Sequence, residues 1–327
     1  HCRYRNDRSL QMKETFTNPV VPFGADPWVI RYRDEYWYCH AGRGNTIWVD
    51  RTKHLQTLGM AKAHKVYTAP EPGPFAKELW APELHRIGNQ WVIYVAADDG
   101  DNFNHRMIAL VSDDELPTGT FRFAGKVELP GDAWAIDMTI LDLGQQGRFA
   151  LWSGWEGRQN VAQHIYIAKM TGTTTCTGTR VKLSSPEFPW ETAGSGGKDK
   201  LPTINEGPQV LQKNGQVHVI YSAAGSWCDE YSLGRLTLTK GADPMKLASW
   251  AKHSEPVFRK TDKVFGPGHC SFVDDAKGQT WIVYHSARSK GAGWDRQVSM
   301  QPVAWNGNTP VFGTPVAPGT PLEIPVN

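Results

Sequence analysis

Long hydrophobic runs and strong net charge are both missing from this sequence. No stretch of its 327 residues approaches the roughly 18 consecutive apolar residues of a membrane-spanning helix. Its 35 lysines and arginines balance 33 aspartates and glutamates, for a net charge of +2, and no basic run stands out. We therefore expect neither a membrane nor a nucleic acid among the partners of this protein.

Cysteine is scarce, and its spacing is not that of a metal cluster. The five cysteines include no Cys-x-x-Cys pair, so a zinc site is not expected. They allow up to two disulfides and one free thiol, and the sequence leaves the pairing open among Cys2, Cys39, Cys176, Cys228 and Cys270. The chain starts at His1 with neither a Met nor a signal peptide, which we interpret as a mature, processed chain or one trimmed to that length. We expect a secreted, extracellular protein.

A helical pattern is also missing, whereas turn-forming and aromatic residues are abundant. The chain has 32 glycines, 22 prolines and 14 tryptophans. Five times along the chain, a short motif leads into an apolar strand, a turn rich in Gly, Asn or Asp, and a second apolar strand with aromatic residues. These units open at residues 25–30, 80–85, 135–141, 205–211 and 268–273.

The repeat predicts an all-β fold, a five-bladed β-propeller. Strands joined by turns such as Asn214-Gly215 indicate hairpins. Units that recur at a period of roughly 55 to 70 residues are typical of a radial repeat. We expect one domain over residues 1–327, with a short N-terminal lead-in of about residues 1–17. A pair of β-sandwich domains is the alternative, but a sandwich does not explain five copies of one unit order.

The unit openings carry acidic side chains that a propeller would bring together. The first strand of each blade lines the central channel, so the starts of these strands converge at one end of the axis. One such acid alone would more often be a satisfied turn or core residue. Several carboxyl groups in one mouth repel each other, which raises some pKa values and leaves others low, as glycoside hydrolysis requires. The converging residues are Asp26, Glu83, Asp137, Glu206 and His269.

Tryptophans near the same ends of the strands favour a sugar as the substrate, because an indole face packs against the apolar face of a sugar ring. Trp155, Trp227 and Trp294 lie in loops, and Trp28 and Trp80 flank the unit openings. Five tryptophans inside predicted strands are interpreted as blade core instead: Trp37, Trp48, Trp91, Trp152 and Trp281.

Five short motifs, one in each unit, resemble those of glycoside hydrolase family 43. They are Asp26–Trp28, Trp80–Leu84, Ile136–Ile140, Glu206–Pro208 and Gly268–Phe272. The resemblance extends over nearly the whole chain, and the Trp152–Gly157 stretch makes it most similar to α-L-arabinofuranosidases that release single arabinose units. Two departures are Gly207, where many relatives have Ala, and Cys270, where a polar residue is common.

The resemblance implies an inverting mechanism with three carboxyl groups. Asp26 would be the general base that activates water, and Glu206 the general acid that protonates the leaving oxygen. Asp137 would orient Glu206 and raise its pKa by like charge. Arg296 matches a family arginine near the base and the sugar hydroxyls.

The remaining family positions are assigned to binding. Glu83 would have a substrate-binding or structural role, and Trp28, Trp80 and Trp155 would contact the sugar. His269 matches a channel histidine that, in many relatives, lies by a hydrated cation, often calcium. That ion would be structural or electrostatic, and the chemistry itself would require no cofactor.

The predicted function is an exo-acting α-L-arabinofuranosidase, a monomer that releases L-arabinose from α-1,5-linked arabinan or arabino-oligosaccharides of the plant cell wall. An endo-arabinanase or a β-xylosidase on the same scaffold is the nearest alternative. A non-catalytic carbohydrate-binding propeller is the other, although such a protein does not need three ionisable carboxyl groups at its mouth. Residues 186–202 are expected to form a mobile surface loop over or beside the pocket, with no function assigned.

Overall fold

The computed structural model describes residues 13–327, and its regular structure is β-strand with a few short 3₁₀ turns. The prediction of an all-β fold is therefore confirmed. Within residues 13–327, no helix is long and apolar enough to cross a membrane. The 3₁₀ turns are Leu55–Met60, Asn102–Asn104, Gly144–Gln146, Pro189–Glu191 and Leu247–Ser249.

The strands are numbered here in chain order. The first nine are β1 (Thr15–Phe16), β2 (Trp28–Tyr32), β3 (Glu35–Gly42), β4 (Thr46–Thr52), β5 (Lys62–Thr68), β6 (Lys77–Ile87), β7 (Gln90–Asp98), β8 (Arg106–Ser112) and β9 (Arg122–Lys126). The next eight are β10 (Ala135–Asp142), β11 (Arg148–Gly154), β12 (Ala162–Met170), β13 (Cys176–Ser184), β14 (Thr203–Lys213), β15 (Gln216–Ala223), β16 (Ser232–Leu238) and β17 (Trp250–Lys252). The last six are β18 (Phe265–Asp274), β19 (Thr280–Ala287), β20 (Arg296–Pro302), β21 (Ala304–Asn306), β22 (Thr309–Val311) and β23 (Leu322–Glu323).

Five antiparallel sheets follow one another along the chain, and each begins where a predicted unit begins. They are β2–β5, β6–β9, β10–β13, β14–β17 and β18–β20. A short parallel pairing of β12 with β14 joins the third sheet to the fourth. The hairpin β21–β22 and the pair β1–β23 stand apart from these sheets.

The segment before the first sheet attaches to the last one. Val21 pairs with Val298 of β20, whose backbone N–H donates to the Val21 carbonyl at 2.9 Å. The N–H of Gly24 donates to the Arg296 carbonyl at 3.1 Å. Residues 20–24 therefore run beside β20, at the edge of the fifth sheet, and place residue 26 next to that sheet. Part of the predicted lead-in is itself strand, since Thr15–Phe16 pairs with β23, and residues 1–12 lie outside the described chain.

Hydrophobic side chains fill the space between each sheet and the next. The apolar clusters join sheets one and two, two and three, three and four, and four and five. A further cluster joins the fifth sheet to the first, with Trp281 and Val283 packing against Val29 and Tyr38. The first strands β2, β6, β10, β14 and β18 also contact one another in this order, and β18 contacts β2. Their starting ends are thereby gathered into one region.

A β-bulge interrupts the start of each first strand from β6 onward. Two residues there oppose one residue of the neighbouring strand, which re-aims the side chains around the bulge. The first residue of each bulge has positive φ, a backbone conformation that is costly for non-glycine residues and clusters at functional sites. These residues are Ala81 (φ 49°), Asp137 (φ 58°), Gly207 (φ 55°) and His269 (φ 45°), and Asp26 (φ 49°) precedes β2 in the same way.

The sequence predicts that the acids occupy the same position in each unit, and the bulges show that this is only partly true. Asp26, Asp137 and His269 share the positive-φ position, as expected. Glu83 instead lies two residues after that position in its strand, and Glu206 lies one residue before it. The acids therefore approach the gathered strand ends from different backbone positions.

The described cysteines are not cross-linked to one another. Cys39, Cys176, Cys228 and Cys270 are free, and Cys2 lies outside the described residues. Two disulfides among five cysteines would require at least one bond within these four. The structure therefore lacks the two-disulfide arrangements that the cysteine count allows.

Candidate active site

Asp26 lies in a cluster of cationic and imidazole side chains. Its Oδ1 is 3.2 Å from His269 Nδ1, 3.3 Å from His285 Nδ1 and 3.7 Å from Arg296 Nη1. Its backbone N–H donates to His285 Nδ1 at 3.0 Å, which ties the turn before β2 to the end of β19. The predicted proximity of Arg296 to Asp26 is present in the structure.

These neighbours keep Asp26 ionised. Burial alone would raise the pKa of its carboxyl group, but His269, the contact with His285 and the charge of Arg296 together hold that pKa well below its usual range. A carboxylate with a lowered pKa accepts a proton only weakly in the ground state and favours the charged form at neutral pH. Such a group fits the role of a base that orients and polarises water.

Asp137 and Glu206 form a second group next to His269. Donor atoms of these three residues all lie within 4.8 Å of one another. The Gly207 N–H donates to Asp137 Oδ2 at 3.0 Å, and the Tyr231 hydroxyl donates to Glu206 Oε2 at 2.8 Å. One oxygen of each carboxyl group is therefore fixed, and the two groups lie close enough for their charges to interact.

The electrostatics of this pair are opposite to those of Asp26. Burial, together with the charges of Glu206 and Asp26, raises the pKa of Asp137 to about 8, against the opposing charge of His269. Burial also raises the pKa of Glu206, although His269 and the hydrogen bond from Tyr231 oppose it. Because the two groups interact, their proton belongs to the pair. The site thus combines an ionised carboxylate with a protonated pair.

His269 sits between the two groups. Burial alone would lower the pKa of its imidazole, but Asp26, Asp137 and Glu206 together raise it. Its backbone N–H donates to Ser222 Oγ at 2.8 Å, which fixes the bulge of β18 against β15. A protonated His269 offsets the repulsion among the three carboxyl groups.

Glu83 has a different environment from the other acids. It is buried, and its Oε2 accepts from Gln209 Nε2 at 2.7 Å while its Oε1 lies 3.1 Å from His85 Nε2. The His85 ring in turn lies 4.8 Å from the Trp28 ring, measured between centroids. Glu83 therefore ties β6 to β14 and supports the position of Trp28. This arrangement agrees with the structural side of its predicted role.

The predicted sugar-binding tryptophans differ in accessibility. Trp28 is half-buried and donates from Nε1 to the Leu84 carbonyl at 2.9 Å. Trp80 is half-buried as well, and its ring lies 4.0 Å from the His105 ring. Trp155 is only 1% exposed and stacks on Trp134 at 4.9 Å, so it has no free ring face for a sugar. The prediction that Trp155 contacts the sugar is wrong, because its loop folds back onto the apolar core.

Sequence reasoning missed two residues that contact the acids. Tyr231 donates to Glu206, and its ring stacks on His285 at 5.6 Å with an interplanar angle of 10°. His285 contacts Asp26, so this stacked pair links the proposed acid to the proposed base. One sequence signal existed for His285: it is a polar residue near the end of the apolar second strand of unit five. In the structure, β19 pairs it with Gly268 beside the bulge. Nothing local distinguishes Tyr231 from a core tyrosine.

An ionised carboxylate facing a pair of carboxyl groups that retain a proton is the acid–base arrangement of a glycoside hydrolase. The chain belongs to Glycosyl hydrolases family 43, whose profile matches residues 16–310. The prediction of a glycoside hydrolase of this family is thereby confirmed.

Several relatives carry more specific names. The chain is 34% identical to the extracellular exo-α-(1→5)-L-arabinofuranosidase of Streptomyces avermitilis, over 95% of this chain and 66% of that protein. It is 30% identical to the enzyme of the same name from Streptomyces chartreusis, over 84% of this chain and 83% of that protein. The crystal structure of an α-L-arabinofuranosidase from Lactobacillus brevis matches with a TM-score of 0.85 at 30% identity, covering 93% of this chain and 98% of that one.

Proposed function

We propose that this protein is an exo-acting, inverting α-L-arabinofuranosidase that releases L-arabinose from α-1,5-linked arabinan and arabino-oligosaccharides. The observation that carries the proposal is the division of the carboxyl groups around His269, with the pKa of Asp26 lowered and those of Asp137 and Glu206 raised. The arabinofuranosidase names of the relatives support the choice of sugar. The exo specificity in the names of the two Streptomyces enzymes supports chain-end attack over the endo-arabinanase and β-xylosidase alternatives.

The proposed mechanism assigns one step to each carboxyl group. The Asp26 carboxylate takes a proton from a water molecule as that water attacks the anomeric carbon. Glu206 delivers the proton of the pair to the leaving glycosidic oxygen, so that bond breakage creates no alkoxide. The attack comes from the face opposite the leaving group and inverts the anomeric configuration.

The other residues prepare these two proton transfers. Tyr231 occupies Oε2 of Glu206, which leaves the other oxygen to carry the proton. Asp137 is held by the Gly207 N–H and keeps a proton on the pair at neutral pH. Arg296 places positive charge 3.7 Å from Asp26 Oδ1, and we propose that it also binds hydroxyl groups of the sugar.

We further propose that the five sheets are the blades of one closed five-bladed β-propeller. The packing of the fifth sheet on the first and the pairing of Val21 with Val298 support closure. Closure would explain why Asp26, from the first unit, meets His269 and His285 of the fifth. We also propose a monomer that is secreted and acts on plant cell-wall arabinan, in keeping with the extracellular relatives.

We also propose that a structural cation binds near His269. The donors present do not fit direct calcium ligation, because Asp137, Glu206 and His269 supply three atoms where calcium takes six to eight oxygens. Oxygens of both carboxyl groups are already used by Gly207 and Tyr231. An ion there would therefore be mostly hydrated, with the His269 ring beside its water shell, and no step of the mechanism passes through it.

Removal of bound metal tests whether the protein holds a structural cation. We expect metal analysis of the purified protein to find close to one calcium per chain, and dialysis against EDTA to lower the melting temperature. Restoring calcium should restore that temperature. Metal content near zero together with an unchanged melting temperature would contradict the proposal.

Proton NMR of linear α-1,5-arabinan during the first minutes of digestion tests the proposed function. We expect free arabinose as the first product, with the β-anomer ahead of the α-anomer before mutarotation equalises them. Oligosaccharides appearing first would indicate internal cleavage, and the α-anomer appearing first would contradict inversion. No product from arabinan, aryl arabinoside or aryl xyloside would favour the carbohydrate-binding alternative.

A further inference from the structure

Glu191 is a fully buried carboxylate in the segment 186–202, to which the sequence assigns no function. It ends the 3₁₀ turn Pro189–Glu191 and is 0% exposed. A buried charge is costly unless it is paired and hydrogen-bonded. An ordinary surface loop has no need of such a group, so its contacts indicate what it holds in place.

The two oxygens of Glu191 join the loop to three strands. Oε1 accepts from the backbone N–H groups of Glu187 and Phe188, both at 3.2 Å, and lies 2.8 Å from Lys252 Nζ in β17. Oε2 accepts from the Tyr221 hydroxyl of β15 at 3.1 Å and from Asn205 Nδ2 of β14 at 2.8 Å. These donors satisfy the buried charge and fasten residues 187–191 to the fourth sheet, so this part of the segment is not the mobile loop that the sequence predicts.

Asn205 is the residue immediately before Glu206, and every polar contact around it is buried. Its Oδ1 accepts from Ser184 Oγ at 2.6 Å, and its backbone carbonyl accepts from Ser153 Oγ at 2.7 Å. With Glu191 on its Nδ2, the side chain and the carbonyl of Asn205 are all held. The bulge that begins at Gly207 follows directly, so the backbone that aims Glu206 lies between a clamped residue and a positive-φ residue.

We infer that Glu191 is a positioning residue for the proposed general acid, which it aims through Asn205, with Lys252 as its counter-ion. This inference rests on the proposed function. A carboxyl group that must reach a leaving oxygen tolerates little misplacement, since a shift of about 1 Å costs on the order of 10²-fold in rate. Through Glu191, the loop 186–202 thereby helps to position the general acid.

Two substrates with different leaving groups can distinguish a positioning role of Glu191 from a role in general stability. Glu191→Gln keeps the size and one acceptor but loses the charge opposite Lys252. We expect its kcat to fall by about 10- to 100-fold on arabinobiose, whose leaving alcohol needs protonation. On 2,4-dinitrophenyl α-L-arabinofuranoside, whose leaving group departs without a proton, we expect a fall of less than about threefold. Asn205→Ala breaks the same link and should give the same difference between the two substrates. This second variant keeps the test valid if Glu191→Gln folds poorly.

Asp275→Asn is the matched control. Asp275 is also a buried carboxylate with four donors, namely the N–H groups of Lys277, Gln279 and Val326 and the indole of Trp281. It follows the last residue of β18, beyond the strand end where the bulge at His269 lies, so its replacement should lower the melting temperature and leave the ratio of the two rates unchanged. Equal losses on both substrates in Glu191→Gln and Asn205→Ala would overturn the positioning role alone. A wild type inactive on both substrates would overturn the proposed function and the positioning role with it.

Discussion

Replacing Asp26 with asparagine is expected to lower kcat on arabinan by about 10²- to 10⁴-fold, the usual contribution of a general base. The loss should be similar on aryl arabinosides, because water must be activated whatever the leaving group. Asparagine tolerates the positive φ of residue 26 and keeps its shape, so the variant is expected to fold. Steady-state kinetics on both substrates measure the effect.

The control for this variant is Asp34→Asn, the same chemical change on a side chain that is 90% exposed in the turn between β2 and β3. It should retain the wild-type rate. Added azide offers a second check, because a small anion in the space of the missing base can attack the anomeric carbon itself. Hydrolysis by Asp26→Asn at near the wild-type rate would remove Asp26 from the role of base.

Glu206→Gln is expected to give a loss of similar size, about 10²- to 10⁴-fold, but only with poor leaving groups. Glutamine retains an acceptor for the Tyr231 hydroxyl and cannot deliver a proton. Arabinobiose should therefore be affected far more than 2,4-dinitrophenyl arabinofuranoside. Glu323→Gln, an exposed side chain in β23, is the matched control and should change neither rate. Equal losses on both substrates would mean that Glu206 does not act as the acid.

The pH profile of kcat/KM should change with the same variant. In the wild type the base must be ionised, and the lowered pKa of Asp26 puts the acidic limb at low pH. The acid must be protonated, so activity falls as the pH rises through the raised pKa of the Asp137–Glu206 pair, with that of Asp137 near 8. The residual hydrolysis of arabinobiose by Glu206→Gln should lose this alkaline limb, and the wild type should lack it on the dinitrophenyl substrate, whose leaving group needs no proton. An alkaline limb that persists in Glu206→Gln would point to another group, with Asp137 as the next to test.

The five-unit repeat and its acids could be read from the sequence because both are local patterns. Strand, turn and strand follow from the alternation of apolar and turn-forming residues around positions such as Asn214-Gly215. The starts of the first strands are marked by polar residues entering apolar segments, as at Asp137. The sequence did not show that a bulge adds a residue at these starts, so counting placed Glu83 and Glu206 at positions they do not share with Asp137.

The burial of a loop tryptophan is a second property that the sequence does not reveal. Trp155 lies in a Gly-rich stretch that predicts a binding residue, yet it stacks on Trp134 in the core between the second and third sheets. An exposed and a buried loop tryptophan have the same local sequence. Which one is present depends on the apolar surface that the neighbouring sheet offers.

By itself, the sequence determined the all-β character, the order of the units and the carboxyl groups available for acid–base chemistry, since these depend on residue type and short spacing. The tertiary structure alone decided the state of each group. Asp26 is ionised because His269, His285 and Arg296 come from a distant part of the chain to meet it. Glu206 is aimed through Asn205 by Glu191, whose partners Tyr221 and Lys252 lie on other strands. Burial and long-range charge set a pKa and an orientation, and neither is encoded in the residues adjacent to the acid.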